Sequence, residues 1–224
     1  MKRKRFQFEE SIEVLVGSDE VKFTVPEDLI CDRSRFFKSA CSEAWNANKQ
    51  PIKLTDADPQ TFSDYLQCVY QSTYSEHDKD TALPSLFQLY ILADQLGDLV
   101  SANQIMDEMI TCSDRISQIP GDECIDMAME SIPSNSPLRR LTRDYYVFEA
   151  DAEKLEGCSE EFVLFVAQSF FHLKKNVDKD RTVGEVFSRC VSDAGRCDYH
   201  QHDAGCPPCV TPDADSDGEK SDQS

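Results

Sequence analysis

The sequence has few basic side chains for its number of acidic ones. It contains 23 lysines and arginines against 42 aspartates and glutamates, which gives a net charge of −19 over 224 residues. A protein that binds nucleic acid over a broad surface neutralises phosphates with an excess of basic residues. A protein that docks on an anionic membrane leaflet does the same with lipid head groups. The composition therefore predicts neither a nucleic-acid partner nor a membrane partner.

Long apolar runs are also missing. No segment approaches the roughly 18 continuous apolar residues that a membrane-spanning helix needs. Residues 2–5 are all lysine or arginine, and Phe6-Gln7-Phe8-Glu9-Glu10 follows, which interrupts the apolar stretch of a secretory signal. We therefore expect an intracellular protein, in the cytoplasm, the nucleus or both. We interpret residues 1–10 as a basic, solvated arm; a nuclear-import signal or a phosphate-binding arm is the alternative.

Signatures of catalysis are scarce. The chain has only four histidines, and it contains no G-x-S-x-G, P-loop or dinucleotide-binding glycine pattern. Paired acids are abundant, but in a chain this acidic they indicate solvated surfaces. The sequence predicts that the protein is not an enzyme.

Ten cysteines occur in the chain, and in a reducing compartment they are not expected to form a disulfide framework. Six of them lie scattered beside apolar positions, and we interpret these as buried thiols that act as small hydrophobic side chains. The six are Cys31, Cys41, Cys68, Cys112, Cys124 and Cys158. The other four lie close together near the C-terminal end.

Apolar periodicity predicts an α+β fold. Alternating apolar residues over 12–16 and 21–25, joined by Gly17-Ser18-Asp19-Glu20, indicate a β-hairpin, and Ile52-Lys53-Leu54 indicates a third short strand. Apolar residues at helical spacing predict helices near residues 27–40, 59–70, 86–96, 99–109, 138–148, 159–173 and 183–187, the sixth with Phe162, Val166, Phe170 and Leu173 on one side. Asp58-Pro59 and Asp98 are predicted to cap helix starts, Gly97 to end a helix, and Pro120-Gly121 and residues 131–137 to break the chain. Three short strands are not stable alone, so we expect a small sheet capped by a cluster of helices.

Changes in composition divide the chain. We predict a basic arm over residues 1–10, a compact α+β domain over 11–113 and a helical extension over 114–192. Apolar residues almost vanish after Ala194, so residues 193–224 are predicted to be an acidic, Cys/His-containing and largely disordered tail.

Six segments of the predicted domain resemble the BTB/POZ domain, and they occur in the order of that family. They are Val14-Leu15-Val16-Gly17, Val21-Lys22-Phe23-Thr24-Val25, Ser34-Arg35-Phe36-Phe37, the stretch from Ile52 to Pro59, the F-x-x-Y-L-x-x-x-Y pattern from Phe62 to Tyr70, and Tyr90-Ile91-Leu92-Ala93-Asp94-Gln95-Leu96. The last of these is the most diagnostic. The short spacing and the helical continuation near Ser136-Pro137 look like the stand-alone BTB proteins of filamentous fungi.

The resemblance implies a BTB/POZ fold and a protein–protein interaction module. The best-known role of such modules is that of a substrate adaptor that grips the cullin scaffold of a cullin-RING ubiquitin ligase. Adaptors of this kind often carry a hydrophobic-x-Glu motif in a loop after the helix that follows the third strand, and this chain has Tyr74-Ser75-Glu76 there. Tyr74 would be a buried aromatic anchor and Glu76 a rim contact. The alternative is that a polar loop contains this triplet by chance.

Two departures from the family pattern concern its partners. Many BTB domains carry a histidine after the second strand, whereas this chain has Val25-Pro26. Only about ten residues precede the first strand, too few for the helix and strand that partners exchange in the long dimerising form. The sequence therefore does not predict the swapped homodimer, although a dimer through another face stays open.

The tail contains a candidate metal site. Cys197-x2-His200 and Cys206-x2-Cys209 provide four nitrogen and sulfur donors in two closely spaced pairs, the usual way in which a chain delivers the tetrahedral ligands of zinc. His202 is an alternative to His200. The rival interpretation is a disordered tail with reactive thiols. The second functional hypothesis is thus a zinc-binding regulatory protein whose Cys/His tail binds metal and a partner.

Overall fold

A three-stranded sheet forms the N-terminal part of the fold. The computed structural model describes residues 10–42, 50–71, 82–176 and 196–203. In it, β1 (Ser11–Val16) pairs antiparallel with β2 (Val21–Pro26) and parallel with β3 (Ile52–Leu54), which gives the order β2-β1-β3. Val14 and Val16 point into the core, as alternation along a strand requires. The predicted hairpin and third strand are confirmed.

The hairpin turn depends on Gly17, whose φ of 77° lies in the left-handed region that favours glycine. A side chain there would also approach the ring of Pro59, with 3.2 Å between the added Cβ and Pro59 Cγ. Gly17 N–H donates to the carbonyl of Leu54 at 2.9 Å. This glycine therefore lets the hairpin, β3 and the following helix come close together.

Eight α-helices and two short 3-10 helices occur in the described part of the chain. They are α1 (Glu27–Arg33), α2 (Arg35–Ala40), α3 (Pro59–Gln71), α4 (Ala82–Gln95), α5 (Leu99–Ile116), α6 (Asp122–Ser131), α7 (Pro137–Phe148) and α8 (Glu160–Asn176), with 3-10 helices at Ala152–Leu155 and Arg196–Tyr199. The protein is α+β, with a small sheet and a helical bundle, as predicted. No helix in these described ranges has the length and apolar character needed to cross a membrane.

Side-chain caps define where several helices begin. Asp58 Oδ2 accepts the N–H of Thr61 at 2.8 Å, and Pro59 takes the first helical position of α3. Asp98 Oδ1 accepts the N–H of Ser101 at 2.9 Å at the start of α5. Gly97, with a φ of 65°, separates α4 from α5. Both capping aspartates and the terminating glycine were predicted from sequence.

The helical extension shares one core with the preceding domain. Buried side chains of a single hydrophobic cluster come from β1, α4, α6, α7 and α8, for example Val14, Leu86, Ile125, Leu138 and Phe162. The predicted boundary at residue 113 falls inside α5, whose last residue is Ile116. Residues 114–176 are therefore packed as part of the same body as the residues before them.

Helix α6 was not predicted. Pro120-Gly121 and the stretch 131–137 indicated breaks in the chain, and only ten residues lie in the helix between them. Its buried residues are Cys124, Ile125 and Ala128. A stripe this narrow gives a weak periodic signal, so contacts with α4 and α7 stabilise the helix more than its own sequence does.

The predicted apolar faces of α7 and α8 are confirmed in part. Leu138, Leu141 and Tyr145 are buried in α7, and Phe162 and Val166 are buried in α8. Phe170, predicted for the same face, is 46% exposed. Among the α8 side chains that the structure describes, which end at His172, the buried ones lie in the first half of the helix. The helix predicted near 183–187 and the last 21 residues of the tail lie outside the described residues.

Burial of the six scattered cysteines differs from the prediction. Cys68, Cys112 and Cys124 are buried, whereas Cys31, Cys41 and Cys158 are partly exposed. Cys31 lies in the short helix α1, Cys41 follows α2, and Cys158 lies in the bend before α8, so none of the three is on a long buried helix. None of the cysteines in the described ranges forms a disulfide.

Buried thiols predict a loss of stability at alkaline pH. Burial raises the pKa of Cys124 to about 12 and that of Cys68 to about 11, from an ordinary value of 9.0. The unfolded chain therefore ionises first, so the contribution to stability is complete below pH 9 and disappears as the pH rises towards the folded-state pKa. We expect the Tm, measured with a reducing agent present, to fall between pH 9 and pH 10.5. The fall should be smaller in Cys124→Ala; an equal fall in both proteins would contradict the assignment.

Candidate metal centre

The C-terminal residues 196–203 pack against the helical bundle, and we call them the docked segment. Tyr199 is only 3% exposed, and its hydroxyl donates to Asp144 Oδ2 in α7 at 3.0 Å. Arg140 Nη2 of the same helix donates to the carbonyl of Asp198 at 2.7 Å. This part of the predicted tail thus has a defined place in the fold, which the tail's composition did not predict.

Gln201 makes the densest set of contacts in the docked segment. Its backbone N–H donates to Asn103 Oδ1 at 2.8 Å, and Asn103 Nδ2 donates back to its carbonyl at 2.9 Å. Its side-chain Nε2 donates to the Tyr90 hydroxyl at 2.9 Å and to Asp94 Oδ1 at 2.8 Å. One residue is therefore held through both its backbone and its side chain by α4 and α5.

Three metal-binding side chains meet in the docked segment. The ligand atoms of Cys197, His200 and His202 lie within 4.8 Å of one another, and Cys197 Sγ is 3.2 Å from His202 Nε2. The 3-10 helix explains why Cys197 and His200 lie close together, because residues three apart lie on the same side of such a helix. Tetrahedral ligands at the usual zinc–nitrogen and zinc–sulfur distances are about 3.3–3.8 Å apart. The arrangement thus needs only a small adjustment to provide three of the four positions around zinc.

A carboxylate on α5 orients one of these ligands. Asp107 Oδ1 lies 3.1 Å from His200 Nε2, whose ring is largely buried. Carboxylates that hold the second nitrogen of a metal-binding histidine fix its tautomer and ring orientation. If Asp107 holds Nε2 in this way, Nδ1 would be the metal-binding nitrogen of His200. The negative charge of Asp107 also favours a cation at this site.

The structure changes the sequence-predicted ligand set. Cys197 and His200 come together as predicted, and His202 lies beside both of them, so it adds a ligand where the sequence offered it as a replacement. Cys206 and Cys209 lie outside the described residues, as do Tyr74 and Glu76. Asp107 was missed, because one acidic residue on a helix of so acidic a chain carries no distinguishing sequence signal.

Comparisons with known proteins give no family for this chain. No protein-family model matches the sequence, and no curated protein is significantly similar to it. Function is therefore argued from the fold and from the residues of the chain itself.

Proposed function

We propose that this protein is a protein-interaction module of BTB/POZ type and that it acts as an adaptor on a cullin scaffold. The observation that carries the proposal is the order of elements: a hairpin, two short helices, a parallel third strand and then a helical cluster. The six segments that resemble the family lie on these elements in the same order. Their combination, more than any one segment, supports the proposal.

Contacts between segments that are distant in sequence give further support. Ser34 Oγ donates to the carbonyl of Leu96 at 2.6 Å, and the N–H of Phe36 donates to the same carbonyl at 3.1 Å. These bonds join Ser34-Arg35-Phe36-Phe37 to the end of the Tyr90–Leu96 stretch. Phe62 packs edge-on against Phe23 with 5.0 Å between ring centroids, which joins α3 to β2. The resembling segments therefore form one structural unit.

The adaptor role makes a prediction for Tyr74 and Glu76. A central aromatic anchor contributes about 2 kcal/mol or more to an interface, so Tyr74→Ala should weaken binding to a purified cullin N-terminal domain by roughly 30-fold. Glu76→Ala, at the rim, should weaken binding less. Lys79→Ala, five residues further along the chain than Tyr74, is the matched control. Titration by calorimetry gives the affinities.

Two results would count against this role, and they differ in meaning. Failure of the unmodified protein to bind any cullin tested would refute the adaptor role. Equal binding by Tyr74→Ala would refute only the assignment of Tyr74 as the contact.

Metal binding is a second candidate function, favoured by the clustering of Cys197, His200 and His202 beside Asp107. We propose that the segment binds one zinc ion and that zinc serves a regulatory purpose. Mixed thiolate and imidazole donors suit zinc better than magnesium or calcium, which prefer oxygen ligands. The fourth ligand would come from water or from a cysteine among residues 204–224.

The zinc prediction can be tested on the purified full-length protein without a metal-binding tag. We expect one zinc per chain by elemental analysis, and loss of most of that zinc in Cys197→Ser and in His202→Asn. Cys158→Ser and His172→Asn are matched controls, because those residues lie on or next to α8 and outside the ligand cluster. A metal-free protein that also takes up no zinc during dialysis would show that the site does not bind zinc.

A further inference from the structure

The residues that dock the C-terminal segment alternate with the residues that could bind metal. Cys197, His200 and His202 offer ligand atoms. Between them, Tyr199 and Gln201 make the contacts that hold the segment on the bundle. Metal binding and docking therefore require the same backbone conformation over a few adjacent residues.

The surface beneath the segment contacts both its backbone and its side chains. We call it the receiving surface; its polar members are Arg35, which pairs with Asp203, and Tyr90, Asp94, Asn103, Asp107, Arg140 and Asp144. Asn103 and Arg140 bond to backbone atoms of the segment, so they would hold any chain of this conformation. Asp144 accepts from the Tyr199 hydroxyl, and Tyr90 and Asp94 accept from the Gln201 amide. The side-chain contacts thus select tyrosine followed two residues later by glutamine.

Asp107 links the two processes directly. It belongs to the receiving surface on α5, yet its contact in the segment is the metal-ligand candidate His200. A metal on His200 would therefore be held against α5 by the same carboxylate that helps dock the segment. Undocking would break this contact and separate the ligand from the group that orients it.

We propose that a zinc-class ion bound by Cys197, His200 and His202 locks residues 196–203 onto the receiving surface. Removal of the ion weakens docking and uncovers the receiving surface. This proposal rests on the second candidate function, the binding of zinc. By thermodynamic linkage, zinc raises the equilibrium constant for docking by the same factor by which docking raises the affinity for zinc.

Hydrogen exchange on the full-length protein measures how zinc changes the docking of residues 196–203. The backbone N–H of Gln201 reports docking, because its acceptor is Asn103 Oδ1. Zinc at about 100 times its Kd stabilises the docked state enough to slow exchange through segment opening by up to about 100-fold. We therefore expect peptides that cover residues 198–203 to exchange more slowly with zinc than with a chelator. Amides in β1 should not change.

The zinc affinity of variants measures how docking changes the binding of zinc. Asp107→Asn should weaken zinc binding about 10–100-fold, as removal of a ligand-orienting carboxylate does, and Asp107→Glu should restore part of it. Gln201→Ala keeps all three ligands and removes docking contacts, so it should also weaken zinc binding by at least tenfold while the stoichiometry stays at one. Asp114→Asn, the same type of change on the same helix, is the control.

The outcomes separate the two proposals. Zinc could bind while hydrogen exchange over residues 198–203 stays unchanged and Gln201→Ala binds zinc as tightly as the unmodified protein. That result would refute the coupling between zinc binding and docking and leave zinc binding itself intact. If the protein binds no zinc, both the second candidate function and its coupling to docking are refuted. Neither result bears on the protein-interaction module.

Discussion

Replacing Asp98 by alanine is expected to lower the free energy of unfolding by about 3–5 kcal/mol, the usual cost of leaving buried charged partners uncompensated. Asp98 is fully buried. Besides capping α5, it accepts the Ser101 hydroxyl at 2.7 Å, the Tyr65 hydroxyl at 3.2 Å and Arg33 Nε at 3.4 Å. One carboxylate thus joins α1, α3 and α5. Urea denaturation followed by circular dichroism measures the change.

Two further variants give this prediction a sharp outcome. Asp98→Asn keeps an oxygen that can cap the helix but removes the charge opposite Arg33, so its loss should be smaller than that of Asp98→Ala. Asp114→Ala changes an exposed aspartate of the same helix and should stay within about 0.5 kcal/mol of the unmodified protein. A loss below about 1 kcal/mol for Asp98→Ala would show that the network does not stabilise the fold as described.

Replacing Phe62 by alanine is expected to cost about 3–5 kcal/mol as well, through the cavity it leaves in the core. Its ring is fully buried and lies 5.0 Å from Phe23, 6.4 Å from Phe37 and 6.0 Å from Tyr65, measured between centroids. These contacts cover the small sheet, which three short strands could not stabilise alone. The loss should appear in both the denaturation midpoint and the near-ultraviolet circular dichroism of the aromatic residues.

Phe171→Ala is the matched control, because that ring is 64% exposed on α8. It should change the free energy of unfolding by less than about 0.5 kcal/mol. Phe62→Leu retains most of the buried volume and should lose less than Phe62→Ala. Similar losses for Phe62→Ala and Phe171→Ala would contradict the assignment of Phe62 to the core.

Local signals in the sequence predicted the elements that begin or end at specialised residues. Gly17 marks the hairpin turn, Asp58-Pro59 the start of α3, and Gly97-Asp98 the break between α4 and α5. Each of these signals affects the backbone only within a few residues, through a φ preference or a side-chain cap, so it can be detected without knowledge of distant contacts. Helix α6 lacked such a signal beyond the breaks on either side, and it was missed.

The candidate metal site likewise has one part that local sequence predicted and another part that it did not. The spacing of Cys197 and His200 was visible because a short turn brings residues three apart together. Asp107, Asn103 and Tyr90 lie about one hundred residues earlier in the chain, and no local pattern relates them to His200 or Gln201. Their contribution became visible only when α4 and α5 lay under the segment.

Periodicity and capping act over short distances, and they predicted the α+β class, the hairpin, the third strand and the main helices. The sequence also indicated a cluster of thiol and imidazole donors near the C-terminal end. The packing of the helices, in contrast, was needed to show that residues 114–176 share a core with the preceding domain and that residues 196–203 dock on it. It alone also placed Asp107 against His200. These features depend on which surfaces meet after the helices have packed, and contacts between distant residues leave no periodic trace in one sequence.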